Sequence, residues 1–180
     1  MPLLPGTGEP LISLAKIFRF SSAFFNSLAK NVVTMHRRQI RQKRKASHTS
    51  RPFTPYTKKY AELKSQGLAA KGRQQMSNST VPDLTLTGDM LNSMKVLHAG
   101  RDNFSYGITD PVQAAKMEGN QLGVFGKGVR RSKKRIVSSE NNPMPKEIRE
   151  MVMEEMSKQV VRQITTELRR AGHGYKVITI

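Results

Sequence analysis

Phe53-Thr54-Pro55-Tyr56-Thr57-Lys58-Lys59-Tyr60-Ala61-Glu62-Leu63-Lys64, followed after a polar interval by Pro82-Asp83-Leu84-Thr85-Leu86-Thr87-Gly88-Asp89-Met90-Leu91-Asn92-Ser93-Met94, is the passage from which the fold is read. Pro52 and Pro55 fix φ, remove two backbone donors and push the residues before them toward extended conformations. Phe53, Tyr56 and Tyr60 can bury large apolar bodies while the tyrosine hydroxyls keep polar partners. Tyr60 to Lys64 is expected to form a short helical turn that stops near Gly67. Residues 65–80 carry almost no large apolar side chain and read as a polar surface loop. Leu84 and Leu86 alternate with threonines, which predicts a short strand. Thr87 is then the expected N-cap of a helix, with Asp89 in the first turn and Leu91 and Met94 on one face.

Working outward toward the N-terminus, residues 1–10 contain Pro2, Pro5, Gly6, Gly8 and Pro10 and form an irregular arm. From Leu11 a helical pattern places Leu14, Ile17, Phe18, Phe24, Phe25, Leu28 and Val32 along a wide apolar stripe, suited to a core or a subunit interface. A membrane-surface helix is the lesser reading of the same stripe. His36 to Lys45 continues it as a basic helix, whose like charges four residues apart repel and need neutralising partners or open solvent. Ser47 to Pro52 ends that element.

Toward the C-terminus, Val96–His98 and Phe104–Ile108 read as two strands joined through Gly100-Arg101-Asp102-Asn103, a hairpin. Asp110-Pro111 predicts a helix start carrying Val112, Ala115 and Met117 to about Gly119. Residues 121–139 are glycine-rich and then basic, an exposed loop or hairpin arm. Pro143 and Pro145 precede the clearest helix, Lys146 to Arg170, with Ile148, Met151, Val152, Met156, Val160, Ile164 and Leu168 on a broad stripe. Glu147 and Glu150 near its start and Arg169 and Arg170 near its end suit the helix dipole. Gly172 and Gly174 terminate it, and the β-prone tail 175–180 is expected to pair with a sheet edge, its own or a neighbour's. The expectation is an α+β fold: long N- and C-terminal helices packed on a small antiparallel β-sheet, with extended loops and terminal arms. A single domain spans 11–174, between the arm and the tail.

Composition narrows the classes of function. The apolar content of 37% with 24% charged residues fits a globular protein with polar extensions. With no cysteine, disulfides and thiolate metal sites are excluded. The formal net charge of +18 favours an acidic or polyanionic neighbour over a merely solvated basic surface. The most apolar stretch, Leu11 to Val33, is interrupted by Lys16, Arg19, Asn26 and Lys30, so no transmembrane span is expected. Its serines and lack of acids also suit an organellar transit peptide, a lesser alternative, and a secretory signal fits less well.

Catalytic chemistry finds little footing. His36, His48, His98 and His173 are scattered without metal-pair spacing. Asp83, Asp89, Asp102 and Asp110 are too dispersed for a carboxylate pair, and turn or cap duties account for three of them. Glu154 with Lys158 is an ordinary surface pairing four residues apart. Gly123-Val-Phe-Gly-Lys-Gly128 lacks the spacing of either phosphate loop, and no serine sits in a nucleophile elbow. No enzyme, metal or cofactor is expected. The remaining functional candidates are basic: Arg37, Arg38, Arg41, Lys43, Arg44 and Lys45 in the first run, and Lys127, Arg130, Arg131, Lys133, Lys134 and Arg135 in the second. As nucleic-acid contacts they would touch phosphates with strong salt dependence and no sequence preference. No recognised nucleic-acid reader accompanies them.

Phe53, Pro55, Tyr56, Tyr60 and Lys64, with Leu84, Leu86, Thr87, Gly88, Met90, Leu91 and Ser93, resemble two passages often carried by tailed-bacteriophage tail-completion and virion-morphogenesis proteins, "F-x-P-Y-S-x-x-Y-x-x-x-K" and "L-T-L-T-G-x-M-L-x-S". Thr57 stands in place of the usual serine. Ala46-Ser47-His48-Thr49-Ser50 replaces the family's Gly- and Asp-rich turn, and Arg135-Ile136-Val137 stands where an "R-x-F-L" landmark is usual. The resemblance covers roughly residues 35 to 125 and, more loosely, the terminal helix. It implies a neck component at the head–tail junction of a virion, assembled in the host cytoplasm as a homo-oligomer, commonly a hexameric ring. Its implied partners are portal or adaptor proteins and tail-terminator or tail proteins, with possible non-specific contact with DNA and none with membrane. The alternative is a basic nucleic-acid-binding protein such as an organellar ribosomal component.

Overall fold

The computed structural model describes residues 19–44, 52–122, 124–125, 130–131 and 144–170. The expectations for the N-terminal arm, Leu14 to Phe18, Lys45, Lys127, Lys133 to Arg135, the glycine stop after Arg170 and the tail lie outside the described residues. Within them the chain mixes helix and strand, as an α+β protein.

The first described helix, α1 (Ser22–Arg38), begins at Ser21, whose extended backbone lets its Oγ accept the Phe24 amide at 3.0 Å. Phe25, Leu28, Ala29, Val32, Val33 and His36 recur at three- and four-residue steps and are all buried. Burying each large apolar member stabilises the fold by about 1.5–3 kcal/mol. Phe25 also meets Phe104 at 6.1 Å between ring centroids, which brings α1 over the sheet.

The basic run does not continue as a plain α-helix. After Arg38 the backbone widens into a π-helical turn, Gln39–Lys43, and stops at Arg44 with φ 54°. The wider turn keeps Ile40 in the core while sending Arg41 toward Asn92 and Lys43 toward Glu147. The Arg44 carbonyl accepts the Phe53 amide at 2.9 Å, which ties the aromatic passage to the end of this turn.

Helix α2 (Lys58–Ser65) starts two residues before the expected Tyr60, because the Thr57 hydroxyl caps the Tyr60 amide at 3.4 Å. It ends as expected before Gly67, where φ is 77°. Residues 66–88 fold back without regular structure. The strand expected at Leu84 and Leu86 does not form: Leu84 has φ 54°, and the Asp83 carboxylate accepts the Thr85 amide at 3.0 Å, an Asx turn that replaces the ladder. Helix α3 (Asp89–Asn92) is a single turn whose N-cap is Gly88 at φ 81°, not Thr87. Thr87 instead donates its hydroxyl to Asp89 Oδ2 at 2.8 Å. The helix ends at Asn92, so Leu91 and Met94 share the core but not a helix face.

Strands β1 (Met94–Ala99) and β2 (Phe104–Ile108) form the expected antiparallel hairpin, from Met94↔Ile108 to Ala99↔Phe104. Leu97 is an extra residue between Val96 and His98, a bulge. Helix α4 (Pro111–Leu122) begins where Asp110 Oδ1 caps the Val112 and Gln113 amides at 2.8 and 3.1 Å, and it runs three residues beyond the expected Gly119. Of the apolar residues expected on it, Met117 is buried, beside Gln113 and Asn120, while Val112 and Ala115 are exposed. β3 (Val124–Phe125) pairs with β4 (Arg130–Arg131), so the second basic run does contain a hairpin.

Helix α5 (Lys146–Arg170) has the expected bounds and packs against α1. Its two ends are pinned: Glu147 meets Lys43, and Gln163 Nε2 donates to the Arg19 carbonyl at 2.8 Å. α5 therefore runs antiparallel to α1. The core gathers Val33, Ile40, Phe53, Met90, Leu91, Met94 and Met117 from α1, the π-helical turn, the aromatic passage, α3, β1 and α4. No described helix is long and apolar enough to cross a membrane.

Candidate interaction site

The two passages quoted above meet around one buried ion pair. Lys64, on the inner side of α2, is 0% exposed and donates to Asp83 Oδ1 at 2.7 Å. Asp83 is held from two further directions, by the Thr85 amide and by the Ser77 hydroxyl. Lys64 also donates to the Tyr56 hydroxyl at 3.3 Å, with its ammonium 4.9 Å from the Tyr56 ring centroid. Tyr56 stacks edge-on against Tyr60 at 4.8 Å. Gln75 closes the loop by donating its amide to the Lys64 carbonyl at 2.5 Å, and the Met76 amide donates to the Leu86 carbonyl at 2.8 Å. The polar loop 65–80 is thereby stitched to residues 82–88.

Above this pair lies a groove of about 750 Å³. Tyr56, Tyr60, Leu84, Leu86, Thr87, Gly88 and Met90 line it, together with Lys71, Arg73 and Lys116. With Thr57 and Thr85, nine residues of the quoted passages thus share one surface. Phe53 and Leu91 lie beneath in the core, Pro55 is exposed, and the Ser93 hydroxyl donates to the Met90 carbonyl at 2.9 Å. Arg73 bonds Asp89 at 2.6 Å; the Thr87 hydroxyl and then Arg73 hold the Asp89 carboxyl below its usual range. The groove thus has apolar walls and a cationic rim.

The first basic run is used largely inside the molecule. Arg37 donates to the carbonyls of Asn92 and Met94, and Arg41 donates to Asn92 Oδ1 at 2.8 Å. Burial, then the Arg41 charge, lowers the Arg37 pKa. Arg38 bonds Gln42 at 2.8 Å on the surface. Lys43 meets Glu147 at 2.6 Å and pushes that carboxyl down to about 2, with help from Gln39 at 3.1 Å. Arg44 ends the turn, and Arg130 and Arg131 form β4 away from this run in sequence.

Two constellations escaped the sequence reading. His36, set aside as a scattered histidine, is 1% exposed and its Nδ1 lies 3.0 Å from the Tyr106 hydroxyl. Burial pushes the Tyr106 hydroxyl up to about 12. The Lys64–Asp83 pair was also missed: Lys64 carried a motif role and Asp83 was one of four dispersed aspartates, and nothing in the local pattern joins residues nineteen positions apart. Among the described residues no three histidines, cysteines or carboxylates come together to hold a metal ion. Glu154 and Glu155 bond Lys158 as surface pairs at 2.7 and 3.1 Å.

No family model, no curated protein and no solved structure matches this chain.

Proposed function

We propose that this chain is a structural subunit of the head–tail junction of a tailed bacteriophage: a neck or tail-completion component that transforms no substrate. In this reading copies form a ring, commonly hexameric, joining portal or adaptor proteins to tail-terminator or tail proteins. Long terminal helices form its body and extended arms reach its neighbours.

The observation that carries the reading is the incomplete cover on α5. Its 25 residues extend about 37 Å, yet only Ile148 on it is buried. Met151, Val152, Met156, Val160, Ile164 and Leu168 are half-buried, and Met153 and Val161 are 64% and 46% exposed. Met153 and Val161 stand exposed on this helix although α1 packs along it, and a neighbouring subunit within a ring would cover them. The use of Arg37, Arg41 and Lys43 within the fold also favours an assembling part over a phosphate-reading one.

Light scattering on the purified chain tests this. We expect a discrete oligomer that Met153→Glu with Val161→Glu converts to monomers of unchanged circular dichroism, since both side chains are exposed in one copy. A wild-type chain that stays monomeric at all concentrations and binds arbitrary DNA in a salt-dependent way would instead support the basic nucleic-acid-binding reading.

A further inference from the structure

A second groove, of about 760 Å³, runs between α1 and β1. One wall is the solvent side of α1, where Ser22, Asn26, Lys30 and Thr34 follow one another at four-residue steps. The other wall is the whole length of β1, Met94 to Ala99. The strand presents its unpaired edge here. The Thr109 amide donates to the Ser93 carbonyl at 3.1 Å, so Ser93 faces β2, and alternation turns the backbone groups of Met94 and Val96 outward. Arg37 reaches the Met94 carbonyl from that outer side. Beyond the bulge, the Gly100 amide donates to the Asn103 carbonyl at 2.9 Å, which turns Ala99 outward as well. Among the described residues this sheet has only two strands, so those outward groups have no strand partner.

Such an edge is a template for a further strand, and proteins that leave one open commonly use it. Its surroundings select the chemistry. Lys30, Arg37, Lys95 and His98 line the groove, and no aspartate or glutamate does. Lys30 and Lys95 are exposed, and neither joins an ion pair formed among the described residues. Lys95 stands on the sheet face opposite Val96, while Lys30 projects from the α1 wall, so acids on either face of an incoming strand meet a cation. The β-prone segment of this chain, residues 175–180, does not have that chemistry: it carries Lys176 and no acid.

We propose that the open edge of β1 binds an extended, acidic segment of a different protein, which adds to the β1–β2 hairpin as a third strand beneath α1. Backbone hydrogen bonds to Val96 and Ala99 hold the segment, and its alternate acidic side chains meet Lys30 and Lys95. The inference stands apart from the head–tail reading, since any assembly that offers such a segment satisfies it.

Fluorescence anisotropy with labelled peptides tests it on the full chain. The probes are an alternating threonine–glutamate octapeptide, its threonine–lysine counterpart, and the hexapeptide of residues 175–180. We expect the glutamate peptide to bind at least about tenfold more tightly than either of the others, and to weaken as salt rises from about 0.05 to 0.5 M. Val96→Pro deletes an outward donor, a position where an edge strand tolerates proline, and should weaken binding at least about tenfold. Because Val96 is half-buried, the exposed pair Lys30→Glu with Lys95→Glu provides the independent check, and should reverse the preference toward the lysine peptide. Hydrogen exchange should show the Val96 amide protected by the glutamate peptide. Equal binding of the 175–180 hexapeptide would assign the slot to a second copy and overturn the proposal. Binding that leaves the Val96 amide unprotected, or a preference unmoved by the charge reversals, would overturn it too.

Discussion

Replacing Asp83 should destabilise this protein more than replacing Lys64, although the two share one bond. Both side chains are buried, at 0% exposure for Lys64 and 6% for Asp83, so solvent screens neither. Removing one partner of a buried pair costs about 3–5 kcal/mol, because the other charge is left in a medium that solvates it poorly. The two singles are not equivalent. In Lys64→Met the carboxylate keeps the Thr85 amide and the Ser77 hydroxyl. In Asp83→Leu the ammonium keeps the Tyr56 hydroxyl at 3.3 Å, a weaker neutral partner, and the turn loses its carboxylate cap. We expect about 3 kcal/mol for Lys64→Met and about 5 kcal/mol for Asp83→Leu. The double variant leaves no stranded charge and should cost less than Asp83→Leu alone, a coupling of at least about 3 kcal/mol. Urea unfolding followed by circular dichroism, extrapolated linearly, measures all four corners of the cycle. A double variant whose cost equals the sum of the singles would refute the reasoning, as would a Lys64→Met loss exceeding that of Asp83→Leu.

Tyr106 and Glu147 give predictions that depend on pH. Burial raises Tyr106 from 10 to about 12, so its contribution is complete below pH 10 and is lost as pH climbs through about 12; Tyr106→Phe should lower stability at pH 7 by about 1 kcal/mol through the lost His36 bond and flatten that alkaline fall. Lys43 lowers Glu147 from 4.5 to about 2, so its contribution is complete above pH 4.5 and disappears as pH falls toward 2. Since the two side chains are 50% and 49% exposed, solvent discounts the pair, and Glu147→Gln should cost no more than about 1 kcal/mol at neutral pH and nothing near pH 2. Unfolding curves across pH check both residues.

The elements legible in the sequence were those with a local cause. Asp110-Pro111 carries its own cap, the Gly100–Asn103 turn fixes its hairpin, and Lys146 to Arg170 repeats its stripe for seven turns. Readings failed where a polar side chain took a hydrogen bond that the apolar pattern does not show. Leu84-Thr85-Leu86 alternates as a strand does, yet the Asp83 carboxylate, fixed by Lys64, takes the Thr85 amide and turns the backbone. Thr87 looks like a cap, yet its hydroxyl goes to Asp89. On α4 Met117 is buried together with Gln113 and Asn120, whose amides find partners in Lys116, so two polar residues join a core that apolar spacing alone does not reveal. The quoted passages were legible as a unit, but the groove they share depends on pairing Lys64 with Asp83 across the loop.

Among the described residues, the cations behind the charge of +18 include two populations with different consequences. Arg37, Arg41 and Lys64 meet carbonyls, an amide and a buried carboxylate of their own chain, and so act as fasteners. Lys30 and Lys95 face solvent beside an open strand edge, and their field extends outward. Salt acts on the two populations unequally, since exposed charges are screened beyond about 8–10 Å near physiological ionic strength and a buried contact pair far less. Raising salt should therefore strip partners from the β1 edge while leaving the Lys64–Asp83 fastening, and the groove above it, in place. A protein whose stability and binding declined together along the same salt series would contradict that division, because it would make the cations of the surface and those of the interior one electrostatic system.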